Sequence, residues 1–282
     1  MRRALSAVCG ILAWCIAVQA QWLNYPDPRL PRAQDGRPDL SAAPPRTLDG
    51  KPDLSGVWHA EITPDAEWRR HLGDAVFESR LVTRAAGMGI GTISIYANDL
   101  MVGLSTQQRV ELLRPSAVAR MKEPRQPLRD MCLPIGFPRA ALLTPVTKLI
   151  QSPNILLMLM EEGNAYRQIY LDGRPLPQGP QPSWFGYSTG RWEGDTLVVE
   201  SNGFNDKSYL DGVGHPRSES MRMTERYRRR DVGHLEVIMT FDDPVYYTRP
   251  FSAAVTHVLQ ADTDILEYVC NENEKDAARV VK

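Results

Sequence analysis

The sequence has almost no net charge. It contains 33 lysines and arginines against 34 aspartates and glutamates, which gives a formal charge of −1 over 282 residues. Nucleic-acid-binding proteins carry a clustered positive excess, so the balance predicts no nucleic-acid partner. One dense basic stretch occurs at 226–230. We interpret it as the solvated end of a strand, with contact to an anionic ligand as the alternative.

Long apolar runs are missing beyond the N-terminus. No later segment reaches the roughly 18 apolar residues that a membrane span needs, so no stable membrane insertion is expected. Residues 1–20 combine Arg2 and Arg3, an uncharged apolar stretch, and small residues at Val18 and Ala20. This pattern predicts a secretory signal peptide. The protein is therefore expected to be exported, either periplasmic or secreted, with an uncleaved anchor as the alternative.

Cysteine is scarce. Cys9 and Cys15 lie in the predicted signal peptide, which leaves Cys132 and Cys270 in the mature chain. An even pair in an oxidising compartment predicts a disulfide between them. Two buried free thiols are the alternative.

Motifs for metals, nucleotides and nucleophiles are missing too. The five histidines show no H-E-x-x-H or paired Cys/His spacing, so no metal site and no cofactor are predicted. Gly186-Tyr-Ser-Thr-Gly190 matches a nucleophile pattern, but that pattern needs a helix after the serine. A tight turn and another strand follow here, so Ser188 is not predicted to be a nucleophile.

What the sequence does contain is a series of short β-strands. Residues 21–55 form a Pro/Gly-rich extended segment, and 271–282 a polar C-terminal tail. Between them, 56–270 is predicted to be a single mainly β domain with a short helical insertion near 104–121. Its strands are predicted at 56–62, 91–96, 146–151, 154–161, 165–171, 185–192, 196–202, 219–229, 233–241, 250–260 and 264–270. Turn residues separate most of them. An antiparallel meander closed into a lipocalin-like barrel would remove the exposed edges; a two-sheet sandwich is the rival.

Strand parity places ionisable groups in the interior. Successive side chains of a strand point to opposite faces, and Glu225 shares its face with Met223 and Tyr227. His257 and Arg167 likewise fall on apolar faces. These groups are predicted either to line a ligand cavity, with Met223 and Tyr227 as further ligand-binding residues, or to form a buried salt bridge with a supporting histidine.

Two further candidates come from the turns and loops. Glu193-Gly194-Asp195 reads as a tight turn, while Glu200 is predicted to share the interior with Val198 and so becomes a second ligand-binding candidate. The long loop 203–218 carries His215, an exposed candidate for acid–base catalysis. A solvated loop histidine is the alternative.

Five stretches of the sequence resemble a largely uncharacterised family of exported bacterial β-rich proteins. They are Lys51-Pro-Asp-Leu-Ser-Gly-Val-Trp58, Cys132-Leu-Pro-Ile-Gly-Phe-Pro138, Arg167-Gln-Ile-Tyr-Leu-Asp-Gly-Arg174, Gly190-Arg-Trp-Glu-Gly-Asp-Thr-Leu-Val-Val-Glu200 and Glu225-Arg226. The resemblance covers most of the mature chain. It implies export and one β-rich domain, and it carries over no catalytic residue.

Three functional hypotheses follow. The first is binding of a small apolar or aromatic molecule in a cavity whose polar end is formed by Arg167, Glu225 and His257. The alternative is a cofactor-independent isomerase, lyase or hydrolase, with Glu225 or His257 moving a proton and Arg167 stabilising negative charge. The third is a structural envelope protein with a filled core. The oligomeric state is left open.

Overall fold

Nine strands form a closed barrel in the computed structural model, which describes residues 25–74, 77, 93–128, 131–143 and 146–267. The strands are β1 Gly56–Ala60, β2 Thr147–Ser152, β3 Ile155–Met160, β4 Ala165–Tyr170, β5 Tyr187–Glu193, β6 Thr196–Asn202, β7 Arg222–Arg229, β8 His234–Asp242 and β9 Phe251–Leu259. Each strand pairs with its neighbour in the chain, and β1 pairs with β9 to close the ring. The predicted barrel is confirmed.

The interior of the barrel follows the predicted parity. On β7, Met223, Glu225 and Tyr227 are buried while Arg226 and Arg228 are exposed. On β8 and β9 the odd-numbered side chains are likewise buried and pack into one apolar core. Alternation between a wet and a dry face therefore explains why these segments form strands rather than helices.

One pair of described strands runs parallel. β4 and β5 are joined in parallel through Ile169↔Ser188 and Tyr170↔Thr189, whereas every other pair is antiparallel. The connection 171–186 carries the chain back along β4 so that β5 can start beside it. The simple meander expected from the sequence is therefore interrupted at this seam.

Two predicted strands differ from the structure. Residues 264–267 form no strand, because β1 already occupies the free edge of β9; residues 268–270 lie outside the described residues. Of the predicted strand at 91–96, residues 91–92 lie outside the described residues, and its last two residues belong to the helix Ile95–Asn98. There the Thr63 hydroxyl oxygen accepts the Ile95 N–H at 2.8 Å, and the Ala97 N–H bonds to the Ser94 carbonyl, which closes a helical turn.

The helical insertion is confirmed and divides at Pro115. The described helices are α1 Asp65–Leu72, α2 Ile95–Asn98, α3 Thr106–Leu112, α4 Pro115–Lys122 and α5 Arg139–Leu142, with a 3₁₀ turn at Glu162–Asn164. Ser105 caps α3 in a capping box with Gln108, as its hydroxyl predicts. Pro115 opens α4, where its missing N–H costs nothing. No described helix has the length and hydropathy needed to cross a bilayer.

The basic stretch 226–230 contains one buried arginine. Arg229 lies inside, donates to the backbone carbonyls of Asp53 (2.5 Å) and Val232 (2.7 Å), and stacks 4.9 Å from the centre of the Trp58 ring. Burial lowers its pKa to about 10. This arginine therefore ties the N-terminal extended segment to the barrel.

Cys132 is disulfide-bonded. Cys270, its expected partner, lies outside the described residues. The pairing of Cys132 with Cys270 therefore stays a prediction.

Candidate functional site

An ion pair lies at the centre of the barrel. Arg167 on β4 points inward and donates from Nη1 to Oε1 of Glu225 on β7 at 3.0 Å, and from Nη2 to Oε2 in a second, shorter bond. Both side chains are almost completely buried. The two residues lie on strands far apart in the ring, so this bidentate pair spans the interior.

Hydroxyls and a thioether complete the arginine's partners. Nε donates to Ser188 Oγ at 3.0 Å, Nη2 to Ser201 Oγ at 2.8 Å, and Nη1 to Met158 Sδ at 3.6 Å. The Phe137 ring lies 4.0 Å below the guanidinium. All five N–H groups that an arginine offers are thereby used, which is what a buried guanidinium requires.

Tyr227 completes the network from the carboxylate side. Its hydroxyl donates to Oε1 of Glu225. Burial, and after it the negative charge of Glu225, raises the pKa of Tyr227 well above its ordinary value. For Arg167, burial acts to lower the pKa, but the charge and hydrogen bonds of Glu225 outweigh it and the net pKa is raised. At neutral pH the network is therefore a neutral phenol donating to a charged pair.

His257 lies beside this network on β9. With Glu225 and Tyr227 it lines an interior cavity of about 20 Å³. Burial lowers the pKa of His257 to about 4. A backbone hydrogen bond with Ala141 acts to raise this pKa, and the nearby His59 lowers it slightly further. The imidazole is therefore neutral at physiological pH.

The three inward groups predicted from the sequence thus reach one region. Arg167 and Glu225 are paired with each other, and Glu225 and His257 share the cavity. A cavity of about 20 Å³ holds about one water molecule and has no room for the aromatic ligand that the sequence suggested. In this conformation a larger molecule must bind elsewhere.

A larger hollow opens on the outside of the barrel, where β4 and β5 separate. This β4–β5 cleft has a volume of about 410 Å³ and is lined by Pro134, 163–168, Tyr170 and 183–188. Only two residue pairs join the strands, so the rest of β4 stands apart from the segment before β5. Arg167 and Ser188 belong both to the cleft lining and to the buried network.

The cleft is rich in aromatic rings. Tyr166 and Tyr187 are 62% and 42% exposed on its walls, and Tyr170, Trp184 and Phe185 also line it. Exposed rings close together form a surface on which a planar or apolar molecule can stack. The cleft therefore has the size and the lining of a ligand site.

Glu200 does not point inward. It is about half exposed and bonds to Arg191 at 2.8 Å. Leu197, Val198 and Val199 are all buried, so alternation along β6 gives no clear inner face. The register pairs Val199 with Glu225, which shows that the odd-numbered positions face the interior. The prediction of Glu200 as an interior residue was wrong.

The sequence suggested an exposed His215, but the structure buries it. It is buried in loop 203–218, where Nδ1 lies 2.6 Å from Oδ2 of Asp211. Asp211 also accepts backbone N–H bonds from Leu100, Gly214 and His215. His215 is not among the residues that line the cavity of Glu225 and His257. The sequence around His215 looks like a solvated loop because Leu100, whose N–H bonds to Asp211, is far away in the chain.

Asp99 extends this cluster. Ligand atoms of Asp99, Asp211 and His215 all lie within 4.8 Å of one another, and this is the one group among the described residues with metal-like spacing. The Asp99 carboxylate accepts from Arg109 at 2.7 Å and from the Met101 N–H at 2.8 Å. Because the carboxylates already have donors, the cluster is explained as a clamp that holds loop 203–218 against α2 and α3.

Replacing Asp211 by Asn is expected to lower the free energy of unfolding by about 2 kcal/mol, because charge-assisted bonds to three backbone N–H groups and to His215 are weakened. Urea unfolding measures the change, and hydrogen exchange of the Gly214 and His215 amides should accelerate. The matched control is Asp206→Asn, an exposed change in the same loop. Equal stabilities for the two variants would contradict the clamp.

Sequence reasoning missed several members of the site. Ser188 was considered only as a nucleophile, and Ser201 and Phe137 were not singled out. The cleft was missed because it depends on the parallel seam. The signal that could have found the serines is the tight turn at Glu193-Gly194-Asp195, which sets Ser188 opposite Ser201. An inward-facing arginine nearby needs acceptors of this kind.

A scan against protein-family models, a search of curated proteins and a search of solved structures each found no match.

Proposed function

We propose that the protein is an exported binding protein that holds a small apolar or aromatic molecule in the β4–β5 cleft. The observation that carries the proposal is a hollow of about 410 Å³ lined by five aromatic side chains. Ligand sites in proteins range from about 300 to 1,000 Å³ and combine apolar walls with a few polar groups. Gln168 and the rim of the buried network supply polar groups here.

A second surface hollow is less suited to such a ligand. It has a volume of about 450 Å³ and is lined by 25–30, 55–57, 148–151 and 259–264. Its single aromatic ring is Tyr25. Its charged residues are already paired: Asp27 with Arg29, Lys148 with Asp264, and Asp262 with Arg32, which lies outside the lining. The cleft is therefore the better candidate.

Export supports the same reading. The leader-like residues 1–20 and the disulfide-bonded Cys132 both suit an oxidising compartment. The acid–base alternative would need a substrate beside Glu225 and His257. The cavity there accepts about one water molecule, so the geometry favours binding in the cleft over catalysis in the interior.

Replacing Tyr187 by Ala is expected to weaken binding of a planar ligand about tenfold, because a stacked ring contributes about 1 kcal/mol and its buried area adds to that. Native mass spectrometry of the exported protein identifies any retained molecule. Calorimetry with indole and 4-hydroxybenzoate as probes then measures affinity in both variants.

The control is Tyr25→Ala, which removes an even more exposed ring outside the cleft. It should leave the affinity unchanged. The proposal fails if Tyr25→Ala weakens binding as much as Tyr187→Ala, or if the wild-type protein retains no molecule and binds neither probe.

A further inference from the structure

The interior cavity contains two polar atoms without partners. Among the described residues, Nδ1 of His257 and Oγ1 of Thr147 are buried and have no hydrogen-bond partner. Both side chains are more than nine-tenths buried, and both line the cavity of about 20 Å³. Thr147 lies on β2 and His257 on β9, the two strands that flank β1.

Such atoms are rarely left unsatisfied in a native protein. More than about 90% of buried polar groups have a partner, either protein or ordered water. A buried donor or acceptor without one has lost its hydrogen bonds to water and gained none in return, which destabilises the fold. Two of them facing one small cavity indicate a missing partner that the cavity itself holds.

The size and chemistry of the cavity select that partner. A water molecule needs a cavity of about 10–15 Å³ and two to four polar contacts. This cavity has about 20 Å³ and offers the two unpaired atoms. The neutral imidazole offers an acceptor at Nδ1 when its proton lies on Nε2, and the Thr147 hydroxyl offers a donor. The remaining walls are mostly apolar, apart from Glu225 and Tyr227.

A cation fits the cavity less well. The Glu225 carboxylate already accepts from Arg167 and Tyr227, and the guanidinium charge beside it repels a second positive charge. An apolar gas would leave both polar atoms unpaired. A neutral molecule that can donate and accept hydrogen bonds remains, and water is the smallest of that class.

We infer that one buried water molecule bridges Nδ1 of His257 and Oγ1 of Thr147 inside the barrel. The water accepts from Thr147 and donates to His257, and its second proton is directed to the Glu225 side of the cavity. It thereby extends the polar network of β4 and β7 to β2 and β9. This site is independent of the proposed ligand cleft.

Crystallography with and without xenon tests the inference, because xenon enters dry apolar cavities. In high-resolution data from the full mature chain, we expect a density peak within hydrogen-bond distance of both atoms. Pressurised crystals should show no xenon at that position. An empty cavity, or xenon in it, would overturn the assignment.

Two variants sharpen the test. Thr147→Val keeps the side-chain shape but removes the hydroxyl, so the water should lose occupancy and xenon should enter. Thr147→Ser keeps the hydroxyl and should retain the water. If Thr147→Val does not fold, the wild-type and Thr147→Ser crystals still decide the question. If xenon enters the cavity of Thr147→Ser, the role assigned to the hydroxyl is contradicted.

Discussion

Replacing Glu225 by Gln is expected to lower the free energy of unfolding by about 3–5 kcal/mol. Removing one partner of a buried ion pair leaves the other charge uncompensated, and the Arg167 side chain is only 1% exposed. Typical domains have only 5–15 kcal/mol of stability in total. Urea unfolding followed by circular dichroism measures the loss.

Two further variants test whether the loss of stability comes from the unpaired Arg167 guanidinium. The double variant Arg167→Met, Glu225→Met removes both charges and should be more stable than Glu225→Gln, since apolar replacement of a whole buried pair is often neutral. Glu200→Gln changes a half-exposed carboxylate that also pairs with an arginine. It should leave stability unchanged, because exposed ion pairs contribute little. A Glu225→Gln protein as stable as Glu200→Gln would refute the central role of the pair.

Acidification is expected to cost the wild-type protein about 3 kcal/mol through His257 alone. The pKa of this residue falls from 6.5 in the unfolded chain to about 4 in the fold, and each unit corresponds to about 1.4 kcal/mol. Between these values the unfolded chain binds more protons, so stability falls as the pH falls. The contribution is fully present above pH 6.5 and is lost as the pH falls through 4.

The difference between the wild type and His257→Phe isolates this contribution. Urea unfolding at pH 7 and pH 4 should show that the variant loses about 3 kcal/mol less than the wild type over that interval. His234→Gln serves as the control, because His234 is partly exposed and paired with Asp231. It should flatten the pH dependence less than His257→Phe does. Parallel curves for His257→Phe and the wild type would exclude a buried neutral imidazole.

The sequence showed which side chains of each strand point into the barrel. Regular alternation on β7 and β9 placed Glu225 and His257 inside, and apolar neighbours at Ile169 and Leu171 were enough to place Arg167. Alternation is set by backbone geometry and needs no knowledge of the partner strand. This is why the interior charges were predictable and their strands were nearly correct.

Register and long-range contacts were not predictable in this way. The serines that satisfy Arg167 meet it only because β4, β5 and β6 align as they do. His215 reads as a solvated loop residue until Asp99 and Leu100 are brought to it from a hundred residues away. On β6, three consecutive buried aliphatic residues removed the alternation, and Glu200 was misplaced as a result.

The number of strands in the ring requires a parallel junction. Around a ring of nine, up and down cannot alternate at every step, since an odd cycle always leaves two neighbours pointing the same way. This chain puts that mismatch between β4 and β5, which leaves β1 and β9 free to close in opposite directions. An eight-membered ring could alternate throughout. The groove with its tyrosines thus lies at the junction where this chain breaks the regular pattern.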